Sequence, residues 1–391
     1  MNILFLSFYF EPDLCAGSFR NTPLFRELLN NLEINDYIHV ITTEPNRYST
    51  FEASGLAEEV GEQYKINRIV VPKHASGMMD QAKSFSVFYK NAIKLIKGEH
   101  FDIVYASSSR LFTAFLGRRC ASKNKCPLFL DIRDIFVDTM KSIFASKKYI
   151  QIPAVFILRQ IEKYTFRNAT HINLVSEGFR EYFSKYKNPK FSFFTNAIDE
   201  VFMNAGIPTK QPVTKPYIIT YAGNIGSGQG LEKIIPEAAR KLGEDYEFHI
   251  IGDGGTRPKL EAKLNGLSLT NVKLLKPVAR KELIEHYNAS TFLFFHLNDL
   301  DAFKKVLPSK MFEYGAFDKP IIAGVSGYAY EFVEKYIPNH ILFNPTDVDD
   351  FVKQIMSYEL RFEERTDFKK QFSRTSINRE LAKCILATAR K

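Results

Sequence analysis

Cysteine is scarce in this chain: four in 391 residues, at Cys15, Cys120, Cys126 and Cys384. None forms a metal-type pair with another, and their scatter suggests no disulfide framework, so a reducing cytosol suits the chain best. No stretch approaches ~18 uninterrupted apolar residues, and no transmembrane helix is expected. The opening residues, MNILFLSFYFEP, are apolar but lack a basic leader and a small-residue cleavage site. They read as a first strand, not as a signal peptide. Zincin and zinc-finger spacings are missing, and His171, His249, His286 and His296 read as plain strand or helix residues. There is no G-x-S-x-G nucleophile elbow, no G-K-[ST] phosphate-loop ending and no Asp-x-Asp metal motif. The run DIRD (131–134) keeps two residues between its carboxylates. Short repeats and low-complexity tracts are also absent.

What is present is a globular composition, 45% hydrophobic and 25% charged, in a chain long enough for two domains. The net charge of +9 is unevenly spread. Residues 1–64 carry 3 Lys/Arg against 10 Asp/Glu, residues 65–190 carry 23 against 9, and the rest is close to balanced. A basic excess of that kind implies an anionic partner, or else simply a solvated basic surface.

Short β-rich runs alternate with helical stretches throughout. The first half has ILFLS (Ile3–Ser7), YIHVITT (Tyr37–Thr43), RIVV (Arg68–Val71), DIVYAS (Asp102–Ser107), PLFLDI (Pro127–Ile132), HINLVS (His171–Ser176) and FSFFTN (Phe191–Asn196). The second half has YIITYAG (Tyr217–Gly223), EFHIIG (Glu247–Gly252), VKLL (Val272–Leu275), TFLFFHL (Thr291–Leu297) and PIIAG (Pro320–Gly324). Runs apolar on both faces, separated by helices, predict α/β doubly wound parallel sheets. The stretch 204–216, rich in Pro, Gly, Thr and Lys, reads as a linker between two Rossmann-like domains facing a cleft. Ligands of such sheets bind at the carboxyl ends of strands, which directs attention to the loops there.

Three loops in the second half carry the chemistry. YAGNIGSGQGLE (221–232) follows a buried strand and opens a helix; its glycines and the helix N-terminus suit a phosphate. Its spacing is not the dinucleotide fingerprint, and a plain tight turn is the alternative. IIGDGG (250–255) repeats the arrangement after the next strand and could lie against a base or ribose, or be another turn. In PSKMFEYG (308–315), Ser309 is a candidate helix N-cap, and Lys310 and Glu313 fall near one face of the first turn. Lys310 with the free amides would favour a diphosphate, and Glu313 could accept hydrogen bonds from vicinal ribose hydroxyls. The alternative is an i, i+3 surface ion pair.

Together with FYFEPDLCAGSFR (8–20), ITTEPNRY (41–48), DIRDIFVD (131–138) and TNAID (195–199), these motifs resemble, in order and over nearly the whole chain, a retaining glycosyltransferase of family 4 with the GT-B fold. The resemblance is to a PSK-type subgroup whose relatives transfer amino sugars in bacterial O-antigen or capsule assembly. It implies an acceptor-binding domain over 1–203, a nucleotide-sugar domain over 217–370, and a C-terminal helix (371–391) packing back on the first domain. By resemblance, Gly17 and Ser18 lie in the loop that closes over the donor. Arg133 and Asp134 stand where many members carry a His-Asp pair, and Glu313 is the second of the paired glutamates. Lys310, Glu313, Arg133 and Asp134 are thus the expected catalytic set. Asn224, Gly226, Gln229, Asp253, Gly254, Val278 and Ser309 complete the donor-binding set. Lys305 stands in place of the first family glutamate, and Asn224 and Gln229 where many members have Arg and Lys.

The expected reaction is transfer of an N-acetylated hexosamine or deoxyhexosamine from a UDP-sugar to a glycan or lipid-linked acceptor, with no cofactor and no essential metal. A UDP-sugar 2-epimerase of the same fold would need cleft carboxylates and histidines that are poorly signalled. A nucleic-acid binder would need basic residues interleaved in a recognised motif, and none is seen. Two stretches mix lysines with apolar residues, 78–97 (Phe85, Phe88, Ala92 and Leu95 near one face, with Lys83, Lys90, Lys94 and Lys97) and 140–164, which includes Lys147 and Lys148. They predict a peripheral enzyme on the anionic inner face of the cell membrane, the alternative being that both faces pack into the first domain.

Overall fold

The alternating apolar runs are strands of two largely parallel sheets. A computed structural model describes residues 1–13, 15–46, 55–72, 78–108, 111–143, 148–209 and 213–390. The chain divides into two units, Met1–Asn196 with Thr375–Lys391, and Ala197–Arg374.

The first unit holds β1 (Asn2–Ser7), β2 (Tyr37–Thr43), β3 (Glu58–Val60), β4 (Tyr64–Ile69), β5 (Ile103–Ser108), β6 (Leu128–Ile132), β7 (His171–Leu174) and β8 (Lys190–Ser192). Their order is β3-β4-β2-β1-β5-β6-β7-β8, and only β3 runs antiparallel to its neighbour. Central strands are buried on both faces, as a sheet covered by helices requires: Ile3, Leu4, Phe5 and Leu6 are all sealed from solvent. Helices α1 (Ala16–Leu29), α2 (Met78–Leu95) and α3 (Lys148–Arg167) belong to this unit. The C-terminal helix (Arg374–Ala389) adds Leu381, Ala382, Ile385 and Leu386 to the same core as Ile3, Phe5 and Leu24.

The second unit holds β9 (Tyr217–Ala222), β10 (Tyr246–Ile251), β11 (Val272–Leu275), β12 (Phe292–His296), β13 (Ile321–Gly324) and β14 (His340–Phe343), in the order β11-β10-β9-β12-β13-β14, with every pairing parallel. Helices α4 (Leu231–Leu242) and α5 (Lys310–Gly315) follow β9 and precede β13. Leu231, Ile234, Ile235, Ala238 and Ala239 recur at helical spacing and pack onto Ile219, Phe248 and Phe294 of the sheet.

Four expectations change. Strand β4 begins at Tyr64, not Arg68, because its polar residues are satisfied sideways: Asn67 Nδ2 donates to Glu58 Oε2 at 2.9 Å and Arg68 pairs with Glu59 at 3.1 Å. The edge strand β14 was not anticipated. The boundary lies at 196/197 and not 203/204, since Asp199 accepts from Arg374 Nε at 2.6 Å and also pairs with Arg280. Finally, Phe85, Phe88 and Ala92 of α2 are buried in the first unit, so that face is not free to meet lipid. Lys147, and the side chain of Lys148, lie outside the described residues. Among the described residues no helix is long and apolar enough to cross a membrane.

Candidate functional site

Strand order in the second unit reverses between β9 and β12, and the carboxyl ends of strands at such a switch point form the usual ligand crevice of an open α/β sheet. The turn after β9 stands there. Gly223 has φ +151°, and a Cβ on it would lie 2.2 Å from Lys310 Cε. Gly252, after β10, has φ +143°, and its Cβ would lie 1.8 Å from the Gly223 carbonyl oxygen. No larger residue fits either position, so the two turns and the Lys310 side chain close against one another.

Each partner is fixed by its neighbours. Tyr221 donates its hydroxyl to the Asn224 carbonyl at 2.6 Å, and Asn224 Nδ2 donates to Gln229 Oε1 at 3.0 Å. Gly226 lies directly beneath that amide pair. Gly230 takes a left-handed conformation ahead of α4 and offers no side-chain cap; its carbonyl accepts the Lys233 amide at 3.0 Å, which leaves the Leu231 and Glu232 amides at the start of that 12-residue helix without a side-chain cap. Asp253 turns its carboxylate back onto its own loop and accepts the Gly254 amide at 2.8 Å. Val278 sits half-buried in the loop after β11, two strands from β9.

On α5 the buried residues are Met311, Phe312, Tyr314 and Gly315, which turns Lys310 and Glu313 to the opposite side. The i, i+3 pair does form, with Lys310 Nζ 3.7 Å from Glu313 Oε2, both side chains about one-fifth exposed. At that distance it is a loose contact, worth about 1 kcal/mol or less, and can exchange partners readily. Tyr287 donates its hydroxyl to Glu313 Oε2 at 3.4 Å, and the Ala222 amide donates to the Tyr314 hydroxyl at 3.2 Å, tying α5 to the end of β9. Burial pushes both tyrosine hydroxyls far above their ordinary range. Ser309 does not cap the helix as expected; its backbone is already helical and its side chain makes no cap hydrogen bond.

In the first unit, Gly17 and Ser18 occupy the first turn of α1, after β1. A Cβ on Gly17 would lie 3.0 Å from Arg133 Nη1, so the α1 turn and the end of β6 meet there. Ser18 is sealed, and neither its hydroxyl nor Arg133 Nε has a hydrogen-bond partner among the described residues. Asp134 is exposed, next to the half-buried Arg133. Among the described residues no three His, Cys, Asp or Glu side chains converge as metal ligands.

Residues 207–374 match the family described as Glycosyl transferases group 1. The match lies within the second unit and covers less than half of the chain. A 56-residue stretch is 43% identical to the putative colanic acid biosynthesis glycosyl transferase WcaI of Escherichia coli K12, spanning 14% of each chain. Over 99% of its length the chain superposes on all of Anabaena Alr3699/HepE, solved in complex with UDP, with a TM-score of 0.66 at 13% identity. It superposes equally completely on the lipopolysaccharide outer core galactosyltransferase WaaB, covering 99% of each, with a TM-score of 0.64 at 15% identity. At such identities the likeness is one of fold, and the fold is GT-B.

Three further residues escaped the reading of the sequence motifs. Arg20 and Asp131 form a fully buried pair (Nε to Oδ2 2.7 Å, Nη2 to Oδ1 2.9 Å). Arg20 also donates to the carbonyls of Phe194 and Thr195, and Asn173 Nδ2 donates to Asp131 at 2.8 Å. Burial draws the Asp131 carboxyl up, but Arg20 and its hydrogen bonds outweigh that and hold it below the usual range. The pair fixes α1 against β6, directly behind Gly17 and Arg133. Its signal was an Arg and an Asp set among buried-type residues, where a charge needs a partner. The third is His296, at the end of β12. Its Nδ1–H donates to the Gln229 carbonyl, and its Nε2 accepts the Thr346 amide at 2.9 Å. That pins the glycine-rich turn to the neighbouring strand end.

Proposed function

We propose that the chain is a retaining glycosyltransferase of the PSK-type subgroup of family 4. It moves an N-acetylated hexosamine or deoxyhexosamine from a UDP-sugar to a glycan or lipid-linked acceptor in bacterial surface polysaccharide synthesis. The observation that carries this reading is the closure of Lys310 onto the Gly223 turn at the β9/β12 switch point, beside the uncapped start of α4. Support comes from relatives of the same fold solved with UDP or UDP-glucose, and from others named for colanic acid and lipopolysaccharide synthesis.

In this reading the diphosphate lies against the Gly226–Gly228 amides, since those of Gly223, Ile225, Gln229 and Gly230 are bonded within the fold, and takes Lys310 from its loose partner. Glu313, released, accepts the two ribose hydroxyls, with Tyr287 holding its other side. Asn224, Gly226, Gln229 and Ser309 line the diphosphate; Asp253, Gly254 and Val278 line the nucleoside. Gly17, Ser18, Arg133 and Asp134 serve the donor sugar. No carboxylate is assigned as a nucleophile, so retention follows from a front-face substitution. The C1–O bond to the diphosphate breaks, the acceptor oxygen bonds to C1 on the same face, and its proton passes to the departing phosphate. The protein contributes positioning and stabilisation of the leaving charge by Lys310 and helix amides. A divalent metal is not required. The enzyme works at the anionic inner face of the membrane.

A panel of nucleotide sugars, offered with lipid-diphosphate-linked and free glycan acceptors and followed by mass spectrometry, tests the reaction. NMR of the product tests the stereochemistry. Transfer from a UDP-sugar with the anomeric configuration kept is expected, and full activity in EDTA. An inverted product, or abolition by EDTA with rescue by magnesium, contradicts the corresponding clause.

A further inference from the structure

Helix α3 has two faces. Val155, Glu162, Thr165 and Phe166 turn inward and are buried. The outward stripe changes character along its length. Tyr149, Ile152, Phe156 and Ile157 are 76, 67, 63 and 58% exposed. From Ile152 and Phe156 the same stripe continues, at spacings of three and four residues, through Arg159, Lys163 and Arg167. Those three line an open cavity of about 510 Å³ together with Lys185 and Lys187.

The cavity's single carboxylate does not neutralise these charges. Glu162 is almost sealed, and accepts the hydroxyls of Tyr182 (2.8 Å) and Tyr186 (2.9 Å) as well as Lys185 Nζ at 3.3 Å. Lys185 is further engaged over the Tyr182 ring at 3.8 Å. Among the described residues, Arg159, Lys163, Arg167 and Lys187 form no ion pair.

We infer that the outward stripe of α3 and the basic cavity at its end form the surface by which the protein docks on an anionic bilayer. This deepens the membrane clause of the function proposed above, on which it rests; of the two stretches first considered it drops α2 and keeps α3, extended to the basic cavity at its end. The chemistry selects the partner. A soluble phosphate would fill the cavity but leave four large apolar side chains in water. A second copy meeting this face would bring two sets of unneutralised cations together. A bilayer interface offers both components, an acyl boundary for the apolar turns and phosphates for the cations. Ile152 and Arg167 are roughly 22 Å apart along the helix axis. The helix therefore enters obliquely, with its first turns deepest and its last turns at headgroup level.

Sedimentation with vesicles of phosphatidylcholine, with and without phosphatidylglycerol, tests this on the full chain. The native protein should bind only the anionic vesicles, less so as salt rises. The triple variant Arg159→Glu/Lys163→Glu/Arg167→Glu should lose about tenfold or more in binding, and so should Ile152→Ser/Phe156→Ser/Ile157→Ser. Lys90→Glu/Lys94→Glu on α2 should change it far less. All these positions are exposed, and an unchanged circular dichroism spectrum and urea midpoint confirm that each variant is folded. Vesicle binding indifferent to both α3 triples overturns the inference while leaving the membrane location standing. No binding to any vesicle overturns both, and transfer to a soluble acceptor still tests the chemistry by itself. Inorganic phosphate that stabilises the native protein but not the charge triple, with vesicle binding equal in the two, marks a soluble-anion site and overturns it. A dimer abolished by the apolar triple overturns it in favour of self-association.

Discussion

Lys310 is the cation that the second unit brings to the turn after β9, and its role separates two kinds of loss. If it mainly steadies charge on the departing diphosphate, Lys310→Ala should lower kcat by roughly 100- to 1,000-fold while donor Kd changes much less. Equal losses in both would assign it to ground-state binding. Arg20 and Asp131 make the opposite kind of prediction, since neither is assigned to the donor. Removing one partner strands a charge with 0% side-chain exposure. Asp131→Ala should therefore cost about 3–5 kcal/mol in chemical denaturation. A cost below about 1 kcal/mol would mean that water reaches the pair.

At the scale of elements, the turn after β9 is held from two sides, by the Gly252 turn and by His296. Gly252→Ala puts a methyl into the Gly223 carbonyl, so both turns must shift; UDP binding should fall while far-UV circular dichroism stays native. His296 adds a pH dependence. Burial lowers its pKa from 6.5 to about 4, with Lys233 acting in the same direction and the Gln229 carbonyl against it. Between those values the unfolded chain binds the extra proton, so stability falls as pH drops from about 6.5 to about 4 and is level above. The full loss is about 3 kcal/mol. Urea unfolding at neutral and acid pH should show that slope in the native protein and much less of it in His296→Asn; equal slopes would discount the assignment. These elements also show what could be read from sequence. β9, β10 and β12 were legible because they are short, apolar on both faces and bounded by glycine or polar turns. The Lys310–Glu313 pair was legible because it follows a helix-start signal. β4 was misplaced because Lys65, Asn67 and Arg68 look like a loop until Glu58 and Glu59 are brought beside them. His296 looked like a plain strand residue because its partners, Gln229 and Thr346, are 67 and 50 positions away.

For the whole molecule, the basic excess of residues 65–190 now has an address. It includes Arg159, Lys163, Arg167, Lys185 and Lys187 around one cavity of the first unit, whereas the proposed donor contacts lie in the near-neutral second half. Salt should accordingly weaken vesicle binding strongly and UDP binding only modestly. The central claim is narrower than either unit: that Lys310 and Glu313, on the first turn of α5, hold the nucleotide of a UDP-sugar. Calorimetric titration of UDP into the native protein and into folded Glu313→Ala measures it directly. The account predicts saturable binding to the native protein and an affinity lower by about 1–3 kcal/mol in the variant, the worth of a charged hydrogen bond. Equal affinity in the two, or no UDP binding to the native protein, would contradict it.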